Sequence, residues 1–134
     1  MTKKSESDQR FRDRYAAHTP NAMLIIEREV IGANVGANGY TTVEQADTLA
    51  RRLQLGPESN VLDIGSGRGW PGMHFAATRQ CSTVLSDVPL PALAASLRQA
   101  DKKNLSSVSV VRASADHLPF KPATFDAITH SDTL

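Results

Sequence analysis

Three acidic residues, each associated with a short apolar run, are the groups in this chain best spaced for binding chemistry. Val61-Leu62-Asp63-Ile64 leads into Gly65-Ser66-Gly67-Arg68-Gly69. Glycines at such a point let a ligand approach the backbone closely, and a helix starting just after turns its N–H groups toward it. Asp87 closes the run Ser82 to Ser86, where a carboxylate can accept both hydroxyls of a ribose. Asp116-His117-Leu118-Pro119-Phe120 follows the run Val108 to Val111, where a carboxylate can accept an exocyclic amine such as that of adenine. Each feature also has a plainer reading: a tight turn for the glycines, a helix N-cap for Asp87, an Asx-turn before Pro119 for Asp116. All three at the same end of consecutive strands, in this order, point to a nucleoside-containing ligand.

The elements that must position these groups follow from the spacing of apolar residues. Val61–Ile64, Ser82–Ser86, Val108–Val111 and Phe125–Thr129 are expected as strands. Met73–Arg79, with Pro71 suited to its first turn, and Pro89–Asn104 are expected as helices between them. On the second helix Leu90, Leu93, Ala94, Leu97 and Ala100 form one stripe. Strands alternating with helices imply right-handed crossovers and a parallel α/β sheet, whose ligands sit at the carboxyl ends of the strands. Upstream, Thr41-Thr42-Val43-Glu44 has the form of a capping box, opening a helix with Val43, Ala46, Leu49, Ala50 and Leu53 on one face; Gly56-Pro57 stops it. Residues 32–39, rich in glycine and asparagine, are expected as a mobile loop, Asn21–Ile31 as a partly buried helix, and Phe11–Ala17 as a short helix behind a frayed polar tail of residues 1–9. The expected organisation is a helical segment over residues 1–56 covering the site and a core over residues 57–134.

The charge of the site narrows the ligand. Gly67-Arg68-Gly69-Trp70-Pro71-Gly72 satisfies G-x-G-x-x-G, and Asp87 lies 20 residues past Gly67, so the dinucleotide fingerprint matches as a pattern. A pyrophosphate, however, would meet Asp63, Asp87 and Asp116, and like charges near 4 Å cost about 4 kcal/mol at an effective dielectric of 20. S-adenosylmethionine, with a sulfonium, an ammonium and no phosphate, suits the site better. Its carboxylate could meet the N–H groups of the loop, or Arg68 if that side chain turns inward; Arg68 as a solvated surface charge is the plainer alternative.

These segments resemble class I S-adenosylmethionine-dependent methyltransferases. Val61 to Gly69 looks like motif I of that family, Asp87 like the acidic ribose ligand after the second strand, Ala115 to Phe120 like the segment that holds the adenine, and Phe125-Asp126-Ala127-Ile128 like the fourth-strand pattern. The version with Leu118-Pro119-Phe120 and Phe125-Asp126 is similar to the small-molecule branch, including the ubiquinone and sterol types. The resemblance implies a Rossmann-like fold with N-terminal helices, and S-adenosyl-L-methionine as cofactor with S-adenosyl-L-homocysteine as product. It implies methyl transfer to a small organic acceptor. It puts Gly65, Ser66, Gly67 and Gly69 at the methionine end, with Asp63 supporting that loop. It puts Asp87 and its neighbour Val88 at the ribose, and Asp116 and His117 around the adenine. Trp70 covers the methionine end or belongs to the core; Tyr40 is a lid or a surface residue. His130, at the end of the fourth strand, is the one placed as a catalytic base, with a purely structural histidine as its alternative; Asp132 lies nearby.

The family sheet has seven strands in the order 3-2-1-4-5-7-6, of which this chain supplies 3-2-1-4. The expectation is therefore a fragment, a truncated product, or a chain completed by self-association along the exposed fourth strand. Two rivals stay open: a non-catalytic binding or interaction module, and an NAD-binding half-domain. Composition sets the outer bounds. The 134 residues carry 15 basic and 14 acidic side chains for a net charge of +1, with no basic block that would mark a nucleic-acid partner. No run is long and apolar enough for a membrane span, the N-terminus lacks a signal-peptide pattern, and a cytoplasmic setting is expected. The single cysteine, Cys81, excludes an internal disulfide or a cysteine-based zinc site and suits a small apolar filler; His18, His74 and His117 have no ligand spacing, so no metal is expected.

Overall fold

The structure is a computed structural model that describes residues 6, 8–10, 13, 20–36 and 39–131. Apart from Asp13, the expected helix from Phe11 to Ala17 lies outside those residues, as does Asp132. Residues 6, 8 and 9 are helical, where the polar composition predicted a frayed tail; Arg10 is helical too, and Asp13 is helical as expected. Gln9 Nε2 donates to Asp13 Oδ1 at 2.9 Å, an i,i+4 pair of the kind that steadies a helix. The first continuous helix, α1 (Asn21–Ile31), has the expected bounds and ends at Gly32, whose left-handed φ of 97° lets its N–H reach the Arg28 carbonyl. Ile31 is its buried residue, while Met23, Ile25, Ile26 and Val30 are exposed.

From Val43 to β3 the chain alternates helix and strand, and a loop then leads to a fourth strand: α2 (Val43–Arg52), β1 (Asn60–Ile64), α3 (Gly72–Arg79), β2 (Ser82–Asp87), α4 (Leu90–Lys102), β3 (Val108–Arg112) and β4 (Ala127–His130). The four strands form one parallel sheet, as the alternation predicts, in the order β3-β2-β1-β4 that the family resemblance implies. Residues of one face stand in register: Val61 opposite Thr83 and Ala127, and Asp63 opposite Leu85 and Thr129. That face meets the helices. Val61 and Ala127 join Ala46, Ala50 and Phe75 in one apolar cluster; Leu85 and Val108 join Met73, Ala76 and Ala100 in a second. Phe75, Val61 and Leu85 are fully buried, and each such side chain contributes roughly 1.5–3 kcal/mol through the water it sheds. On the opposite face Leu62 is buried and Ile128, on the edge strand, is 57% exposed.

Three expected patterns shift in register. The capping box sits one residue downstream: Thr42 Oγ1 accepts from Gln45 N at 3.1 Å and Gln45 Oε1 accepts from Thr42 N at 2.9 Å. Two successive threonines followed by Glu44 and Gln45 make both registers legible, and tertiary contacts made by Thr41 decide between them. The buried stripe of α4 is Ala92, Leu93, Ser96 and Ala100, whereas Leu90 and Leu97 are exposed. Small side chains let that helix approach the sheet, and the hydroxyl of Ser96 is used at the glycine loop. β4 begins at Ala127, not Phe125. The Asp126 carboxylate instead accepts from Asn60 N at 2.7 Å and so pins the start of β1, while Phe125 meets Phe120 edge-on at 5.0 Å. Leu53, expected on the buried face of α2, caps that helix and is exposed.

Candidate active site

At the carboxyl end of β1 the chain turns through Gly65, Gly67 and Gly69, with left-handed φ values of 66°, 56° and 102°. A side chain at these angles strains the backbone, which explains the glycines. Gly65 N and Ser66 N both donate to the Ser86 carbonyl, at 2.8 and 3.1 Å, and Gly69 N donates to the Ser66 carbonyl at 2.8 Å. Gly67 N donates to Asp87 Oδ2 at 2.7 Å. Four of the N–H groups expected to meet a ligand are therefore engaged within the protein, and what the loop offers at those residues is shape.

Asp63 holds this loop from below. Its side chain is 1% exposed; Oδ2 accepts from Gly72 N at 3.0 Å and Oδ1 accepts from the Thr129 hydroxyl at 3.1 Å. It thereby ties the end of β1 to the start of α3 and to β4. Burial pushes its carboxyl up from 3.8 to about 7, opposed by the two hydrogen bonds and reinforced by the negative charge of Asp87. Gly72 is fixed by the same packing: a Cβ there would stand 2.5 Å from Leu85 Cδ2 and 2.7 Å from Asp63 Oδ2. Ser96 Oγ donates within its helix to Ala92 and reaches the Gly67 carbonyl at 3.3 Å. The hydroxyls of Ser66, within the loop, and Ser86, in β2, are buried without a hydrogen-bond partner.

Asp87 is not a helix cap: the N-cap of α4 is Pro89, with no side-chain bond. Its Oδ1 accepts from Val88 N at 2.8 Å, so each carboxylate oxygen spends one acceptor position on the protein and retains another. Val88 is itself held through its carbonyl by Arg112 Nε at 2.9 Å.

The remaining predicted residues stand apart from this cluster. Asp116 and His117 are exposed. The Asp116 carboxylate accepts from the Ser114 hydroxyl and lies 3.3 Å from His117 Nδ1; the serine first, then the histidine, hold it down at about 2. His130 ends β4 opposite Ile64 and is exposed, and Tyr40 is 77% exposed. Trp70 faces the N-terminal side: its indole N–H donates to the Thr41 carbonyl at 2.8 Å, and its ring packs on His74 and the α2–α3 cluster. Spacing left Thr129, Ser86 and Ser96 unmarked as site residues. Ser96 alone left a trace, a polar residue within an apolar helix. The Asp47–His74 pair, 2.7 Å apart between α2 and α3, left none.

Comparison with known proteins fits this geometry. Residues 61–134 match the sequence family described as methyltransferase domain. The ubiquinone/menaquinone biosynthesis C-methyltransferase UbiE of Rhizobium leguminosarum bv. trifolii is 37% identical over 76 residues, 54% of this chain and 30% of that protein. The chain thus spans less than a third of that relative's length. Among solved structures, coclaurine N-methyltransferase bound to N-methylheliamine and S-adenosylhomocysteine aligns with a TM-score of 0.64 at 16% identity, over 94% of this chain and 48% of that one. An S-adenosylmethionine-dependent methyltransferase of Thiobacillus denitrificans aligns with a TM-score of 0.62 at 20% identity, over 85% and 44%; at these identities the likeness is one of fold. With the family match spanning more than half of the sequence, this chain belongs to the methyltransferase domain family.

Proposed function

We propose that this chain carries the S-adenosyl-L-methionine site of a methyltransferase whose acceptor is a small organic molecule. The observation that carries the reading is Asp87, a carboxylate at the end of β2 drawn onto the bare backbone of Gly67. Its two remaining acceptor positions suit the vicinal hydroxyls of a ribose. The residues present fit the cofactor in three further ways. Glycines with left-handed φ leave the backbone uncovered beside that carboxylate. Asp87 places negative potential near a sulfonium. The buried hydroxyls of Ser66 and Ser86 lack partners in the protein. A dinucleotide suits the site less, because Gly65, Ser66, Gly67 and Gly69 already donate within the protein and a pyrophosphate would meet carboxylates.

When bound, the cofactor supplies a methyl group already activated by its sulfonium leaving group. The protein's share is orientation: holding acceptor and methyl in line at about 3–3.5 Å. In this reading Asp63, anchored by Gly72 and Thr129, fixes the loop of Gly65, Ser66, Gly67 and Gly69 at the methionine end. Asp87 and Val88 take the ribose. Asp116 and His117 frame the adenine once the ligand reaches their loop. His130 is placed to accept a proton if the acceptor is a hydroxyl. Residues 1–56 serve as the covering segment and 57–134 as the core. No helix among the described residues is long and apolar enough to cross a membrane, and a cytoplasmic setting agrees with the reading. The exposed β4 edge with Ile128 supports self-association; sedimentation giving only monomer removes that part.

The test is transfer of labelled methyl from S-adenosylmethionine to a panel of small quinols, phenols and amines. Incorporation into one of them is expected. Measured cofactor binding with no incorporation anywhere favours the binding-module alternative.

A further inference from the structure

The structure joins a line of side chains that the cofactor motifs do not use. Thr41 lies two residues before α2: its carbonyl accepts from the Trp70 indole at 2.8 Å, and its hydroxyl hydrogen-bonds with that of Ser131. Trp70 follows the glycine loop after β1, and Ser131 follows β4; β1 and β4 are neighbours in the sheet. The segment Tyr40–Thr42 is therefore fastened across the carboxyl ends of two adjacent strands. One helical turn beyond Trp70, the His74 ring lies 5.1 Å from its ring, tilted by 52°, and His74 Nε2 meets Asp47 Oδ1 at 2.7 Å. The second link ties α3 to α2 just behind the first.

We infer that Trp70, His74 and Asp47 are positioning residues that strap the Tyr40–Thr42 segment across the crevice and thereby hold bound cofactor. The part that concerns the ligand rests on the function proposed above; the strap itself does not. The chemistry suits the task. An indole donating to a backbone carbonyl fixes the main chain whatever side chain Thr41 carries, and packing in the apolar cluster limits the angles from which the ring can donate. Thr42, left to cap α2 with Gln45, gives the strap a rigid end.

Two readouts separate the strap from the cofactor reading. Hydrogen exchange at the amides of Thr42 and Gln45 follows the strap without ligand, and calorimetry with S-adenosylhomocysteine follows its consequence. Trp70→Phe keeps an aromatic ring of smaller size and removes the donor; Asp47→Ala breaks the second link, and Asp47→Asn keeps a hydrogen bond to His74. Loss of one such bond is expected to speed exchange and raise the dissociation constant by about tenfold in Trp70→Phe and Asp47→Ala, with Asp47→Asn restoring both to within about twofold. Trp70 is the only tryptophan, so a red shift of its emission in Asp47→Ala reports the same loosening. If Trp70→Phe does not fold, Ser131→Ala replaces it with the same expectation. Unchanged exchange in folded variants overturns the strap. Faster exchange with an unchanged dissociation constant overturns its bearing on the site. If the unaltered protein binds no S-adenosylhomocysteine, the cofactor reading fails, and exchange and emission alone decide the strap.

Discussion

Two groups of candidate residues near the carboxyl ends of the strands are built differently. Around Asp63 and Asp87, carboxylates are bonded to backbone N–H groups of the glycine loop and of α3, glycines fit where a Cβ would collide, and the hydroxyls of Ser66, Ser86, Ser96 and Thr129 are buried. Around Asp116, His117 and His130 the side chains stand in solvent, and Asp116 is bonded to its own loop neighbours. The first group has its geometry before any ligand arrives. If the second binds a ligand as proposed, it must take up its geometry on that ligand, and would contribute less net affinity for the same contacts.

The contrast can be broken or sharpened by substitution. Asp87→Ala removes both proposed ribose acceptors and the tether of Gly67, and should raise the calorimetric dissociation constant for S-adenosylhomocysteine about a hundredfold. Gly72→Ala forces a Cβ against Leu85 and Asp63 and should cost about 1–3 kcal/mol in urea unfolding. The carboxyl of Asp63, raised by burial to about 7, gives the folded state a proton that the unfolded chain has released between about pH 4 and 7, so its contribution to stability falls as pH rises through that window. Asp63→Asn, which keeps an acceptor for Gly72 N, should flatten that slope in thermal midpoints measured across the window. Asp116→Ala, in the exposed group, should change the dissociation constant by only about two- to threefold. A loss there matching that of Asp87→Ala would show that the exposed loop is as decisive as the buried one.

The sequence carried the prepared group well, because its parts are local. An apolar run, a glycine turn and an acidic residue at a strand end are each legible in a few residues; the alternation of elements makes the sheet parallel, and its strand order was legible through the family resemblance. What escaped depends on residues far apart in sequence. Thr129 meets Asp63 across 66 positions; Trp70 turns to Thr41 across 29; His74 finds Asp47 across 27. The α4 stripe misled for a related reason. Leu90 and Leu97 have the right period, but close approach to the glycine loop selected the face of Ala92, Ser96 and Ala100.

The central claim is that this site prefers an adenosyl ligand without phosphate to a phosphorylated one, and thermal unfolding with each ligand tests it most directly. At one hundred times its dissociation constant, S-adenosylhomocysteine, which carries the same nucleoside and amino-acid end, should add about 2.7 kcal/mol of stability and raise the midpoint. S-adenosylmethionine should do the same, and NAD should leave the midpoint where it was. A midpoint raised by NAD and unmoved by either sulfur nucleoside would contradict the account.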